Sequence, residues 1–238
     1  MTRRLLLLSS SRDTAGAYLL HSAALIKQTL GAAVERVLFI PYAGVTISHA
    51  DYAAKAAVPF ATLGYQLQSI AFTPNPSDAV ANAQAIVIGG GNTFQLLASL
   101  YEKGLVDAIR ARVHSGAPYI GWSAGAVVAA PTIGTTNDMP IVSPKSLRAL
   151  ALIPFQINAH YTDFQQPAHR GETRAERLTE YIAVNRATRV LGLREGSSLS
   201  IVDDAISLHG NLTAPVFAFG TPRAEFSPKD DISFLLRA

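Results

Sequence analysis

"YIGWSAGAVVAAP", residues 119–131, passes from an apolar run to a run of small residues through one serine, with a glycine two residues away on either side. Read as a strand over 117–123 that turns directly into a helix over "AGAVVAA", it puts Ser123 where the strand ends and the helix begins. Such a junction is the mark of an α/β sheet, whose ligands bind beyond the carboxyl ends of the strands. It is also the context that turns a G-x-S-x-G pattern into a hypothesis of a nucleophile elbow. A serine on so tight a turn holds an unfavourable backbone conformation. Gly121 and Gly125 tolerate it because they present no side chain to neighbouring backbone. The competing account is a plain strand-to-helix junction.

Working outward, "RRLLLLS" (3–9), "RVLFIPY" (36–42), "YQLQSIAF" (65–72) and "AIVIGG" (85–90) are further short apolar runs. Between them, "AGAYLLHSAALIKQTLG", "SHADYAAKAAVPFATLG" and "NTFQLLASLYEKGLVDAIRARVHSG" carry apolar residues at three- and four-residue spacing and end in glycine. Strand and helix alternating in this way predict an α/β fold, with one central, mainly parallel sheet covered by helices on both faces. After Pro140 the periods weaken. "GETRAERLTEYIAVN" predicts a helix over 171–185, and "RVLGLREGSSLSIVDDAISLHGNLTAPVFAF" predicts short strands separated by turns. No linker, repeat or low-complexity tract divides the chain, so residues 1–238 read as a single catalytic domain.

Composition removes several function classes. Nearly half of the 238 residues are apolar, enough for a substantial core. The formal charge is only +3 and the basic residues are scattered, so nucleic acid is not expected as a partner. Cysteine is absent, which excludes disulfides, thiolate metal sites and a cysteine nucleophile. Histidines and acids do not cluster at ligand spacing, so neither a metal nor another cofactor is expected. "MTRRLLLLSSSRD" imitates a secretory signal, but its apolar run is too short and a buried first strand fits better. With no run of membrane-spanning length, the expectation is a cytoplasmic protein with no membrane partner. The sequence leaves self-association as a homo-oligomer open.

A serine hydroxyl needs a base, and histidine is the usual one near neutral pH. Of six histidines, His21 and His114 fall in helical patterns, His49 at a helix start and His209 in a turn. His160, in "PFQINAHYTDF", ends a strand-like run and is the best base, with His169 behind it. A third group must hold the imidazole in its productive tautomer. Asp138 in "TTNDMPIV" and Glu195 in "LGLREGSS" both lie near strand ends, and either could do so. The Ala124 amide, and that of Gly91 in "IGGGNTFQLL", are the candidate donors to an oxyanion. The glycine run has neither the spacing of a dinucleotide fingerprint nor a P-loop lysine.

Taken together and in order, "FIPYAGVT", "VIGGGNTFQLL", "YIGWSAGA", "PTIGTTNDMPIV", "QINAHYTD" and "HRGETRAERL" closely resemble peptidase E, the aspartyl dipeptidase family. The resemblance runs from the first strand to about Glu195 and fades after Gly196. It implies a serine peptidase on a sheet related to the class I glutamine amidotransferases, which use cysteine where this chain has Ser123. It also implies Ser123 as nucleophile and His160 as base, and leaves the third role to Asp138 or Glu195. "NAHY" stands where Asn-Pro-His-Phe is expected, so a backbone constraint beside the base is missing.

The implied activity, removal of an N-terminal aspartate from a small peptide substrate, requires a cation for the aspartyl carboxylate. Arg174 is the first choice because an arginine fork can pair with a carboxylate through two hydrogen bonds, with Arg170 and His169 behind it. The alternatives are a cyanophycinase-like or broader-specificity serine peptidase of the same fold, and a non-catalytic binding protein that kept the fold.

Overall fold

A strand that is apolar at every position has no face to offer water. Leu5, Leu6, Leu7 and Leu8 are all buried, and the strand they form lies inside a sheet. The computed structural model describes residues 3–12, 16–165 and 170–237. Its first half contains β1 (Arg4–Leu8), α1 (Ala23–Leu30), β2 (Arg36–Ile40), α2 (His49–Thr62), β3 (Gln66–Ser69), α3 (Pro76–Ala81), β4 (Ile86–Ile88), α4 (Thr93–Glu102), α5 (Leu105–His114), β5 (Tyr119–Trp122) and α6 (Ala124–Val127). There follow β6 (Gln156–Tyr161), α7 (Arg174–Val184), β7 (Val190–Arg194), β8 (Ser198–Val202), β9 (Ala205–His209), β10 (Ala214–Phe217) and β11 (Ala224–Phe226).

The larger sheet has the order β3-β2-β4-β5-β1-β8-β9, parallel from β3 to β1 and antiparallel from there on. The two-residue alternation sorts its side chains. Leu5 and Leu7 join Ile86, Ile88, Leu96, Leu97 and Ile109 on one face, while Leu6 and Leu8 join Ile26, Phe39, Phe60 and Ile120 on the other. Helices α4 and α5 therefore cover one face, and α1 and α2 the other.

The expectation of one central sheet needs correction. A second sheet, ordered β11-β10-β7-β6, stands beside the first. The β6-α7-β7 unit pairs its strands with each other in parallel, and β8 then returns to the free edge of β1. The second sheet is buried too: Ile157, Leu191 and Leu193 join the cluster formed under α4 and α5. On its other face Tyr161, Val190 and Phe217 pack with Leu178 and Ile182 of α7.

Local chemistry explains the other differences from the sequence reading. The pattern over 92–116 is two helices, because Gly104 adopts φ 65° and starts a new one. The strand read over 65–72 stops at Ser69, whose side chain accepts from the Ala71 N–H and opens a 3-10 turn. Helix α3, too short to show an apolar period, has ordinary start signals: Asn75 caps it and Pro76 is its first residue. The helix expected over "AGAVVAA" is a single turn, and His209 closes β9 rather than lying in a turn.

Candidate active site

The end of β5 meets α6 at a residue under strain. Ser123 holds φ 53° and ψ −115°, a region that residues with a side chain rarely occupy. Its N–H is fixed by the Leu8 carbonyl of the adjacent strand at 3.0 Å. Both flanking glycines are sterically required. A Cβ on Gly121 would meet the Gly125 carbonyl oxygen at 2.3 Å, and one on Gly125 would meet that of Ile88 at 2.2 Å. The loop after β4 comes equally close: a Cβ on Gly90 would lie 2.9 Å from that of Ser123, and one on Gly91 would lie 2.1 Å from the Ala43 carbonyl oxygen. Ser123 is thus held between the ends of β4 and β5, next to the backbone of Gly90, while Gly91 packs against Ala43.

His160 reaches it from the second sheet. The β6–β7 register shifts between Ala159 and Tyr161, and His160 itself has φ 54°. A bulge of this kind re-aims one side chain without moving the strand. It lets His160 face Ser123 while Tyr161 packs against Phe217 in the cluster under α7. Ser9 locks the bulge: the His160 N–H donates to Ser9 Oγ at 2.9 Å, and Ser9 Oγ donates to the Leu193 carbonyl at 2.7 Å. His160 Nε2 lies 2.9 Å from Ser123 Oγ, and Nδ1 lies 2.7 Å from Glu195 Oε1. A carboxylate only accepts, so the tautomer with its proton on Nδ1 satisfies Glu195 and leaves Nε2 to accept from the serine hydroxyl. The His160 and Glu195 side chains are 40% and 67% exposed, so this is a solvated pair and its Coulombic attraction is screened.

Asp138 lies elsewhere. Its Oδ2 accepts from the Thr93 N–H at 2.7 Å, from Thr93 Oγ1 at 2.5 Å and from Thr136 Oγ1 at 3.1 Å, at the N-terminus of α4. Asn92 Nδ2 donates to the Met139 carbonyl beside it, so this loop braces the segment that follows Gly91. The neighbouring Asn137 explains why "TTND" and "QINAH" belong together: its Nδ2 donates to the Ala159 carbonyl, and its Oδ1 accepts from Asn158 Nδ2, each at 2.7 Å.

Arg174 is the first residue of α7, half-buried, with no ion-pair partner among the described residues. Burial first, then the neighbouring Arg177, lowers its pKa below the usual arginine value. In a β6-α7-β7 crossover the helix starts at the carboxyl edge of the strands. Arg174 therefore belongs to the same sheet edge as His160 and Glu195, although it does not line the cavity around Ser123. His169 falls outside the described residues.

That cavity, of about 670 Å³, is lined by Ser123, His160, Glu195 and the Gly90–Asn92 loop, and by residues that the sequence reading did not single out. Tyr52 is one: it donates to the Gly90 carbonyl at 2.9 Å and accepts from Trp122 Nε1 at 3.1 Å, tying α2 to the elbow. Lys55 stands one helical turn beyond it, and Arg12 follows β1. Ser9, Tyr52 and Lys55 carry no local signal, because their roles depend on contacts between segments far apart in sequence. Among the described residues no group of three histidines, cysteines or acids is arranged to hold a metal, and no helix is long and apolar enough to cross a membrane.

Residues 5–209 match the model of peptidase family S51. The chain is 46% identical over 236 residues to a peptidase E of Nostoc sp., covering 99% of this chain and 98% of that one. It is 44% identical over 238 residues to a peptidase E of Shewanella baltica, covering all of both chains. Among solved structures, a peptidase from an acI-B1 Actinobacterium superposes with a TM-score of 0.73 over 98% of each chain, at 20% identity. A putative peptidase E from Listeria monocytogenes EGD-e superposes with a TM-score of 0.65 over 88% of this chain and 99% of that one, at 23% identity. These two likenesses bear on fold alone, and they agree with an α/β arrangement of the class I glutamine amidotransferase type.

Proposed function

The chain belongs to peptidase family S51, and from that premise we propose that it is a serine peptidase releasing N-terminal aspartate from Asp-X dipeptides through an acyl-enzyme. The observation that carries the reading is the continuous contact from Ser123 Oγ through the His160 ring to Glu195. Ser123 Oγ attacks the peptide carbonyl carbon while its proton passes to His160 Nε2. The charge that develops on the carbonyl oxygen is met by the amides of Gly91, in the loop that lines the cavity, and of Ala124, the residue after the nucleophile. The tetrahedral intermediate collapses when the imidazolium gives its proton to the leaving nitrogen. The peptide C–N bond breaks, residue X departs with a free amine, and the aspartyl group stays as an ester on Ser123. Water then attacks the ester with His160 again as base, freeing aspartate and restoring the hydroxyl.

Glu195 takes the orienting role because it is the acid against Nδ1, and Asp138 takes that of a brace. Arg174, on the same edge as the base and with no ion-pair partner among the described residues, receives the aspartyl side-chain carboxylate. The test is hydrolysis of Asp-Leu, Glu-Leu, Leu-Leu and β-Asp-Arg by wild type, Ser123→Ala and Arg174→Ala. Ser123→Ala should lose turnover about a thousandfold or more. Arg174→Ala should lose most of its preference for Asp-Leu over Leu-Leu. Failure of a serine-directed phosphonate to label the folded wild type would exclude the mechanism, and equal wild-type turnover of Asp-Leu and Leu-Leu would exclude the specificity.

A further inference from the structure

An Asp-X dipeptide carries two carboxylates, one on the aspartyl side chain and one at its carboxyl terminus. Arg174 accounts for the first. On the seven-stranded side of Ser123 the cavity wall holds two more cations, Lys55 and Arg12. We propose that Lys55, assisted by Arg12, binds the free α-carboxylate of the leaving residue and thereby selects peptides that end one residue beyond the scissile bond. This subsite rests on the peptidase reading and deepens it.

The placement follows from the chemistry of departure. The leaving nitrogen must face His160 Nε2 to collect its proton, so residue X lies on the histidine's side of the hydroxyl. The His160 main-chain N–H donates to Ser9 Oγ, and the chain from Ser9 continues along the cavity wall through Ser10 to Arg12. Across from this segment, α2 presents Tyr52 and Lys55 on one face, three residues apart. Tyr52 is fixed to Gly90 and Trp122, which sets how α2 stands against the elbow. Lys55 Nζ sits over the ring of Tyr18, 4.8 Å from its centroid, and that ring meets Trp122 edge-on at 6.1 Å.

The ammonium is thus placed over an aromatic face on the wall of the cavity that holds the nucleophile. Burial first, and then the adjacent Tyr52, pushes the Tyr18 phenol far above its ordinary pKa, so the ring brings no negative charge. Among the described residues neither Lys55 nor Arg12 has a carboxylate within ion-pair distance. One residue of peptide spans only about 3.5 Å. The α-carboxylate of a leaving residue, one residue past the scissile carbonyl, thus stays within the cavity whose wall carries these two cations. In a longer peptide, a neutral amide would stand at that point.

The experiment compares Asp-Leu with Asp-Leu amide, and Leu-Leu with Leu-Leu amide, using wild type, Lys55→Met and Arg12→Gln. Lys55 is exposed and on a helix surface, so its replacement leaves the fold intact. Wild type should favour each acid over its amide in kcat/KM. Lys55→Met should lose about fivefold or more on the acids, through KM, and almost nothing on the amides. Arg12→Gln should show the same pattern more weakly. Equal wild-type handling of acid and amide, or a loss in Lys55→Met that is the same on both, would overturn the subsite and leave the peptidase standing. Absence of turnover on all four compounds by folded wild type would remove the peptidase reading, and the subsite with it.

Discussion

Ser123 pays for its position in backbone strain, since a serine at φ 53° sits where glycine is at ease. Two variants that both lack the hydroxyl separate strain from chemistry. Ser123→Gly and Ser123→Ala should be equally inactive, yet the glycine variant should be more stable in urea by about 1 kcal/mol. Equal midpoints would mean that the elbow is not strained. The two acids divide in a similar way. Glu195→Gln should cut kcat by about a hundredfold or more with little change in stability. Asp138→Asn should act mainly on stability, because it weakens three hydrogen bonds at the start of α4. At this scale Ser123 and His160 could be read from local pattern, since each ends an apolar run. The choice between Glu195 and Asp138 could not, because the sequence reads both acids near strand ends, whereas only Glu195 follows one and Asp138 lies in the loop before β6. The packing of one sheet against the other decides which meets the imidazole.

Among the elements, β6 and β7 carry the second half of the site, and their carboxyl ends are joined by charge. Arg194 is paired with Asp163 and Glu225, and Arg223 with the same two acids, beneath the ring of Tyr161. Burial works to raise the pKa values of both acids. Hydrogen bonds outweigh it, from Arg194, Tyr161 and Arg223 onto Asp163 and from Arg194 and Thr213 onto Glu225, so both pKa values stay below their ordinary values. Carboxylates with depressed folded-state pKa values stabilise fully above the unfolded values, near pH 4, and lose that contribution as pH falls through the folded ones. Asp163 is 44% exposed, so solvent screens part of its share. Arg194→Met should cost about 2 kcal/mol near pH 7, a fall of about 4–8 °C in thermal midpoint. The gap to wild type should narrow at pH 3. An unchanged gap would assign the stability to packing of the arginine stem.

Elements in the first half were legible because parallel inner strands are uniformly apolar and their helices are amphipathic. The second half was not. The bulge at His160 and the split of β7 and β8 between two sheets are long-range pairings that leave no period in the sequence.

At the scale of the whole molecule, the proposed site draws on two sheets. Ser123, Gly91 and Lys55 come with the seven-stranded sheet, while His160, Glu195 and Arg174 come with the four-stranded one. Each sheet has its own ladder of hydrogen bonds, and a small slide of one past the other breaks none of them. It does lengthen the 2.9 Å contact between Ser123 and His160. A misplacement of about 1 Å at reacting groups costs about a hundredfold in rate. In a urea titration, turnover should therefore fall at lower concentration than far-UV circular dichroism, and coincident curves would show that the sheets move only as one body. The serine–histidine hydrogen bond is in this sense a gauge laid across a seam: it reads sub-ångström creep between two slabs that would each, by every spectroscopic measure of secondary structure, still look native.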